Sequence, residues 1–189
     1  MVDTNAQIEL AGDLFRLLET PDSASARRII AADFTNPTAV NSPAACRITG
    51  PAGVLASAAW LRYAFPDLAF VMQGAASNED SAWLRLRMRG THTGPFVRFD
   101  EDQVAQVIPP TGRPVDVEQV HFVSTRDGQI IRHDALRDDL GMLTQMGAFP
   151  PGPKAAAMAW WKLTGQAARA ADEVSRLAEK AAAAIHPLS

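Results

Sequence analysis

Three features of the sequence predict an α+β fold in which helices come first and a curved antiparallel sheet follows. Apolar residues recur at helical spacing up to Tyr63, alternation takes over from Leu68, and short turn signals cut the alternating part into hairpins. Helices then cover one face of the sheet and leave a cavity between the layers, where small molecules bind.

Residues 6–19, AQIELAGDLFRLLE, put Ile8, Ala11, Leu14, Phe15 and Leu18 on one helical face, and Thr20-Pro21-Asp22 breaks the run. A shorter helix is expected over Ser23 to Ala32. Pro37 then forces Asn36 toward extended geometry, so Asp33 to Asn36 reads as a short strand or turn. After the loop-like TAVNSPAACRITG, Pro51 opens a helix in its first turn and Phe65-Pro66-Asp67 closes it.

LAFVMQGAAS and SAWLRLRMRG flank Asn78-Glu79-Asp80 as a first hairpin, with Leu84, Leu86 and Met88 alternating against Trp83, Arg85, Arg87 and Arg89. VDVEQVHFVST and GQIIRHDAL form a second around Arg126-Asp127-Gly128, where Gly128 supplies the positive φ of a tight turn. A helix from about Asp138 to Met146 ends the compact part, residues 1–149.

Residues 150–189 read as an extension: a stiff PPGP spacer and an alanine-rich helix from Lys154 to Ile185, about 45 Å long at the α-helical rise. Its stripe of Trp160, Leu163, Ala167, Ala171, Val174, Ala178, Ala181 and Ile185 needs a partner, either its own domain or a second chain. A homodimer, with this helix as one route to it, is expected ahead of a membrane-surface role, because the polar face mixes acids and bases.

With 47% hydrophobic residues in 189, the chain can bury a substantial core. The formal charge of −3 and scattered basic residues leave no footprint for nucleic acid. MVDTNAQIEL lacks a basic stretch leading into an apolar one and no run reaches membrane-spanning length, so a cytoplasmic location is expected. The single cysteine, Cys46, excludes an intrachain disulfide and reads as an inert thiol.

Four segments, GPAGVLASAAWLRYAFPDLAF, RGTHTGPF, PPTGRPVDVEQVHFVSTRDGQIIRH and RDDLGMLTQMG, occur in the order that resembles the SnoaL-like polyketide cyclase family over about residues 6–148. The resemblance implies a cone-shaped, nuclear-transport-factor-2-like α+β barrel related to ketosteroid isomerase, usually dimeric, with a deep apolar pocket. It also implies ring closure of polyketide esters by intramolecular aldol chemistry, without metal or coenzyme. In the family the acid/base aspartate follows an H-W pair, two residues beyond the histidine. This chain has Ala135 there and Asp134 in the tryptophan's place. The stretch VRFDEDQVAQV is longer than the family pattern and reads as an exposed rim loop, a candidate lid.

Alternation puts Ile131, His133 and Ala135 on one side of their strand, and Ile130, Arg132, Asp134 and Leu136 on the other. The catalytic candidates are therefore His133 and His121, neutral imidazoles able to take a proton near pH 7, with Asp134 included if a bulge re-aims it. A buried histidine tied to a backbone carbonyl is the competing structural role. Gln119 shares the face of His121. Candidate substrate contacts are Asn36, Phe34, Tyr63, Trp83, Arg85, His92 and Gln119; core packing competes for the aromatics, solvent exposure for Arg85, and loop hydrogen bonding for His92. Asp138 and Asp139 read as helix caps. No metal-ligand spacing occurs, and no cofactor is expected. The expected function is cofactor-independent acid/base chemistry on a bulky apolar carbonyl compound. The alternative is a catalytically silent binding module, on the strength of Ala135.

Overall fold

The computed structural model describes residues 4–150 and 152–185. In chain order the elements are α1 (Thr4–Glu19), α2 (Ser23–Ile29), β1 (Ile30–Thr35), α3 (Pro51–Ala64), β2 (Ala69–Ser77), β3 (Ser81–Thr91), β4 (Phe96–Asp100), β5 (Gln103–Ile108), β6 (Pro114–Arg126), β7 (Gln129–Arg137), α4 (Asp139–Met146), α5 (Pro153–Leu163) and α6 (Gln166–Ala183). Short 3-10 turns at Ala39–Asn41 and Ala44–Arg47 fill the segment before α3.

The five-stranded sheet runs β1-β7-β6-β3-β2, antiparallel throughout except that β1 joins β7 in parallel. All eleven residues of β3 pair with β6 in unbroken register, from Ser81↔Ser124 to Thr91↔Pro114. Leu84, Leu86 and Met88 thereby face the helices and are buried, while Arg85, Arg87 and Arg89 face outward, where Arg85 pairs with Glu118 and the other two share Asp116.

Asp22 caps α2 by accepting from the Ser25 amide at 2.7 Å. The helix ends at Ile29, three residues before the expected Ala32, because the chain turns extended and pairs Ile30 with Ile130 of β7. Ile30 and Phe34 are buried there, so tertiary pairing overrides local helix preference. Pro51 sits in the first turn of α3, and that helix packs against both α1 and α6.

The motifs that carry the family resemblance tie the end of α3 to the loop after β3. Asp67 accepts from the amide and hydroxyl of Thr91, both at 2.7 Å, and the Ala64 carbonyl accepts from the amides of Thr93 and Gly94 at 3.2 and 3.1 Å. A Cβ on Gly94 would lie 1.8 Å from the Tyr63 carbonyl oxygen, so only glycine permits this approach. The amides of Thr111 and Gly112 in PPTGR donate to the His92 carbonyl, and the His92 amide donates to Arg113.

Two expectations are corrected. The stretch 97–107 is a hairpin, β4 with β5, rather than an exposed loop. Phe96, Val97, Phe99, Val107 and Ile108 are buried, and the Trp60 indole of α3 donates to the Val97 carbonyl at 2.9 Å, so the exposed part is the acidic turn at 100–102 with the first residues of β5, Gln103 to Ala105. The C-terminal segment is two helices instead of one, because Gly165 adopts φ +71° and ends α5. Helix α6 lays Ala171, Val174, Ala178 and Ala182 on α3, where small side chains allow close approach, and Arg27 donates to the Ile185 carbonyl at 2.7 Å. Trp160 and Leu163 of α5, in contrast, are 62% and 82% exposed. The PPGP spacer includes position 151, and the chain opening residues 1–3; both lie outside the described residues. No described helix is long and apolar enough to cross a membrane.

The contact at Gly94 yields a direct test. Gly94→Ala should lower unfolding free energy by about 2–4 kcal/mol, since neither the α3 backbone nor the loop can yield cheaply. Gly74→Ala, where an added Cβ meets nothing within 4 Å, serves as the control and should stay near neutral in the same denaturant titration.

Candidate active site

A cavity opens between the helical layer and the inner face of the sheet. Its apolar walls are Leu14, Phe15 and Leu18 of α1, Val54, Trp60 and Leu61 of α3, Met142 and Leu143 of α4, and Phe34, Phe70, Met88 and Phe96 from the strands. Its polar lining comprises Asn36, Asn41, Ser42, Ser57, Arg98, Gln119, His121, His133, Arg137 and Asp139.

Three of these polar side chains form a buried chain across neighbouring strands. Gln119 and His121 are two residues apart on β6, so they share the inner face. His133 reaches that face from β7, and its Nε2 lies 2.9 Å from Nδ1 of His121. On the other side, Nε2 of His121 is 2.9 Å from Oε1 of Gln119, whose amide nitrogen contacts the Met88 sulfur at 3.4 Å. The Phe15 ring closes over both imidazoles, with centroids 4.6 and 5.9 Å away.

The proton positions follow from the donor and acceptor inventory. Gln119 presents its carbonyl, so Nε2 of His121 carries the hydrogen and donates; Nδ1 is then bare and accepts from Nε2–H of His133. This assignment rests on the amide nitrogen of Gln119 facing the thioether, a weak acceptor. In neutral His133 the remaining nitrogen, Nδ1, is an acceptor. It has no hydrogen-bond partner among the described residues, yet it is not sealed off as Nε2 of His92 is.

Burial keeps these rings neutral. Desolvation depresses His133 to about 4, with the Arg137 charge acting in the same direction. His121 is pushed down as well, first by burial and then by His133 and Arg137. Burial alone lowers His92 to about 4.

Among the sequence candidates, His133, His121, Gln119, Asn36 and Phe34 line the cavity. Asn36 is engaged locally: its carbonyl oxygen accepts from the Thr38 amide and hydroxyl at 3.2 and 2.8 Å. The other candidates lie elsewhere. Asp134 lies on the outer face, held by Arg132 at 2.6 and 3.0 Å. Trp83 is 52% exposed on that face, packed on Phe122 with centroids 4.6 Å apart, and Arg85 pairs with Glu118 beside it. Tyr63 donates to Glu173 of α6 at 2.9 Å. His92 is buried away from the cavity lining, with Nδ1 3.0 Å from the Thr111 hydroxyl and its ring against Phe65.

One register detail differs from simple alternation. Ser124 pairs with Arg132 and Thr125 with Ile130, so a bulge at Ile131 brings Ile130 inward, fully buried, on the side His133 also occupies. Beyond the bulge alternation is regular. Ala135 stands directly across from His121, and Arg137, next on the same side, reaches the cavity.

Arg98, Arg137 and Asp139 are the charged lining residues that the sequence reasoning missed. Arg137 follows His133 at twice the strand period, which alternation could have revealed. Asp138 is the α4 cap, accepting from the Gly141 amide at 2.7 Å, whereas Asp139 turns to Arg137 at 3.5 Å. Cys46 is buried and its thiol is raised to about 12 by burial, as befits an inert group.

A family model described as SnoaL-like polyketide cyclase matches residues 10–146. The chain is 29% identical over 152 residues to aklanonic acid methyl ester cyclase DnrD of Streptomyces peucetius, covering 79% of this chain and 97% of that protein. A Jannaschia sp. CCS1 structure with a provisional SnoaL-like polyketide cyclase description superposes with TM-score 0.61 at 23% identity, over 78% of this chain and 95% of the other. A Catenulispora acidiphila DSM 44928 protein with a ketosteroid isomerase-like fold superposes with TM-score 0.54 at 16% identity, over 76% and 98%.

The buried neutral histidines make stability depend on pH in a defined direction. The unfolded chain protonates each near 6.5 while the folded chain does not, so stability is full above pH 7 and is lost as pH falls from 6.5 toward 4. By pH 5 each of these sites withdraws about 2 kcal/mol. Denaturant titrations between pH 7.5 and 5 should show this loss, and His92→Gln should flatten the slope; an unfolding free energy constant over that window would contradict the neutral assignment.

Proposed function

The chain belongs to the SnoaL-like polyketide cyclase family, and from that premise we propose that it closes a ring in a bulky apolar carbonyl compound by cofactor-independent acid/base chemistry centred on His133. The observation that carries this reading is the Gln119–His121–His133 chain, which leaves one unpartnered imidazole nitrogen at an apolar cavity. In an intramolecular aldol closure, Nδ1 of His133 takes a proton from the carbon next to a carbonyl. The resulting enolate carbon bonds to a second carbonyl carbon, and the imidazolium returns its proton to the new alkoxide.

The relay behind His133 holds its ring and tautomer. Once His133 is protonated, its Nε2–H still donates to His121, and His121 still donates to Gln119, so the added charge is spread along polarised hydrogen bonds. A depressed pKa makes His133 a weak base, which suits only substrates whose C–H bond is already acidified, such as a methylene between two carbonyls. Phe15 and the surrounding hydrocarbon exclude the water that would compete for the enolate.

Ala135 favours a second reading, a binding module of the same fold that performs no chemistry. The two readings differ in how an aspartate would act at that position. Because Ala135 lies across from His121, Ala135→Asp would set a carboxylate beside the imidazole pair.

Ring closure of activated β-dicarbonyl polyketide compounds, offered both as free acids and as methyl esters and followed by chromatography, tests the proposal. His133→Ala should lower the rate about 10²–10⁴-fold in a chain still folded by circular dichroism, its melting temperature falling because Nδ1 of His121 loses its donor, and Ala135→Asp should raise the rate. Ligand binding with no turnover in the natural chain would favour the silent module. A homodimer belongs to the same proposal. Since α6 buries Ala171, Val174, Ala178 and Ala182 on α3, the apolar side chains most open for it at this end are Trp160 and Leu163 of α5, with Phe149 and Leu177 exposed to a lesser degree.

A further inference from the structure

We propose that the cavity selects substrates carrying a free carboxylate, gripped at its mouth by Arg98 and Arg137 while the apolar body extends inward to the histidine chain. The inference rests on the small-molecule function above and names a recognition element within it.

The charges in the cavity do not cancel. Arg98 and Arg137 line it, and Asp139 is the carboxylate among its described lining residues. Asp139 is matched with Arg137 at 3.5 Å, a long contact. Arg98 has no carboxylate within ion-pairing distance among the described residues; its one hydrogen bond is a 3.4 Å contact to the Gln106 side chain on the neighbouring strand. Five arginines of the sheet, Arg85, Arg87, Arg89, Arg126 and Arg132, are instead each matched to an acid on the outer surface.

A guanidinium that borders hydrocarbon such as Phe96 and Trp60 loses hydration, and an anion supplied by a ligand restores what was lost. Both arginines flank the Ala39–Asn41 turn. Strand β4, which bears Arg98, packs on that turn, and Arg137 donates to the Thr38 carbonyl at 3.3 Å, immediately before it. Both side chains are partly exposed whereas His121 and His133 are buried, so the cations stand at the mouth and the imidazoles at depth. A planar guanidinium engages a carboxylate through two parallel N–H donors, which a methyl ester cannot match in charge.

The test compares anthraquinone-2-carboxylic acid with its methyl ester, at a pH where the acid is ionised, by calorimetry on the full chain. The acid should bind at least about tenfold more tightly, with the gap narrowing at high salt. Arg98→Gln should erase most of the preference, and Arg98→Lys should keep part of it, which also controls for folding. His133→Ala should retain the preference while losing rate as stated above, so failure of the catalytic proposal and failure of this one are distinguishable. Equal affinity for acid and ester, an undiminished preference in Arg98→Gln, or no binding of either probe at millimolar concentration would each overturn the assignment.

Discussion

The unbroken pairing of β3 with β6 is the constraint on which the other features depend. Along a ladder without a bulge, side chains must alternate without exception, so one choice of register decides the environment of every residue on both strands. Placing Leu84 opposite His121 and Leu86 opposite Gln119 puts the polar pair of β6 among the hydrocarbon of β3, on the inner face. The same register sends Arg85 and Glu118, or Arg89 and Asp116, outward together, where their pairing costs little desolvation. Slipping by one residue would bury arginines and expose leucines, a penalty large enough to keep the histidines where they are.

The two neighbouring strands relax this rule in ways that build the cavity. β2 shifts register between Met72 and Gly74, and β7 has its bulge at Ile131. Bulges increase local bend and twist, which curls the sheet around α1 and α3 instead of leaving it flat. The motif-bearing loops act at the other end. Asp67, Thr91, Thr93 and Gly94 lock α3 to the end of β3, and Trp60 secures β4, so the wall opposite the histidines cannot collapse inward. The loop motifs around Asp67, Gly94 and Gly112 are thus scaffolding, while the segment from 109 to 133 also carries Gln119, His121 and His133 into the cavity.

The helical layer, both long hairpins and the inward aspect of His121 and His133 were legible in the sequence because periodicity reports burial directly. The β4–β5 hairpin was not, because DED at its turn masks the buried Phe96, Val97 and Phe99 around it, and because this small two-stranded sheet packs on α3, α6 and the Ala39–Asn41 turn, partners distant in sequence. The C-terminal break was hidden by an alanine stripe that continues across Gly165. Long-range partners account for the remaining differences. Nothing local distinguishes Tyr63, which reaches Glu173, from an aromatic that lines the pocket, and nothing local says that Arg98 lacks an acid.

The resemblance implies an acid/base aspartate where this chain has Ala135, and under the proposed function that difference would change the electrostatic character of proton transfer in this cavity. A carboxylate base that deprotonates carbon only relocates a negative charge, from aspartate to enolate. A neutral imidazole creates two charges where there were none, and in an apolar surrounding that separation is expensive unless the charges stay close or find fixed partners. The hydrogen-bonded chain to His121 and Gln119 stabilises the positive member, since each donor in it already points away from the incoming proton. Arg98 and Arg137 bias the cavity toward negative charge, but Arg137 also disfavours protonation of both histidines. Under the proposed histidine chemistry these opposing effects would favour strongly acidified carbon, so an alanine at position 135 would narrow the range of usable substrates more than it alters the pocket that holds them.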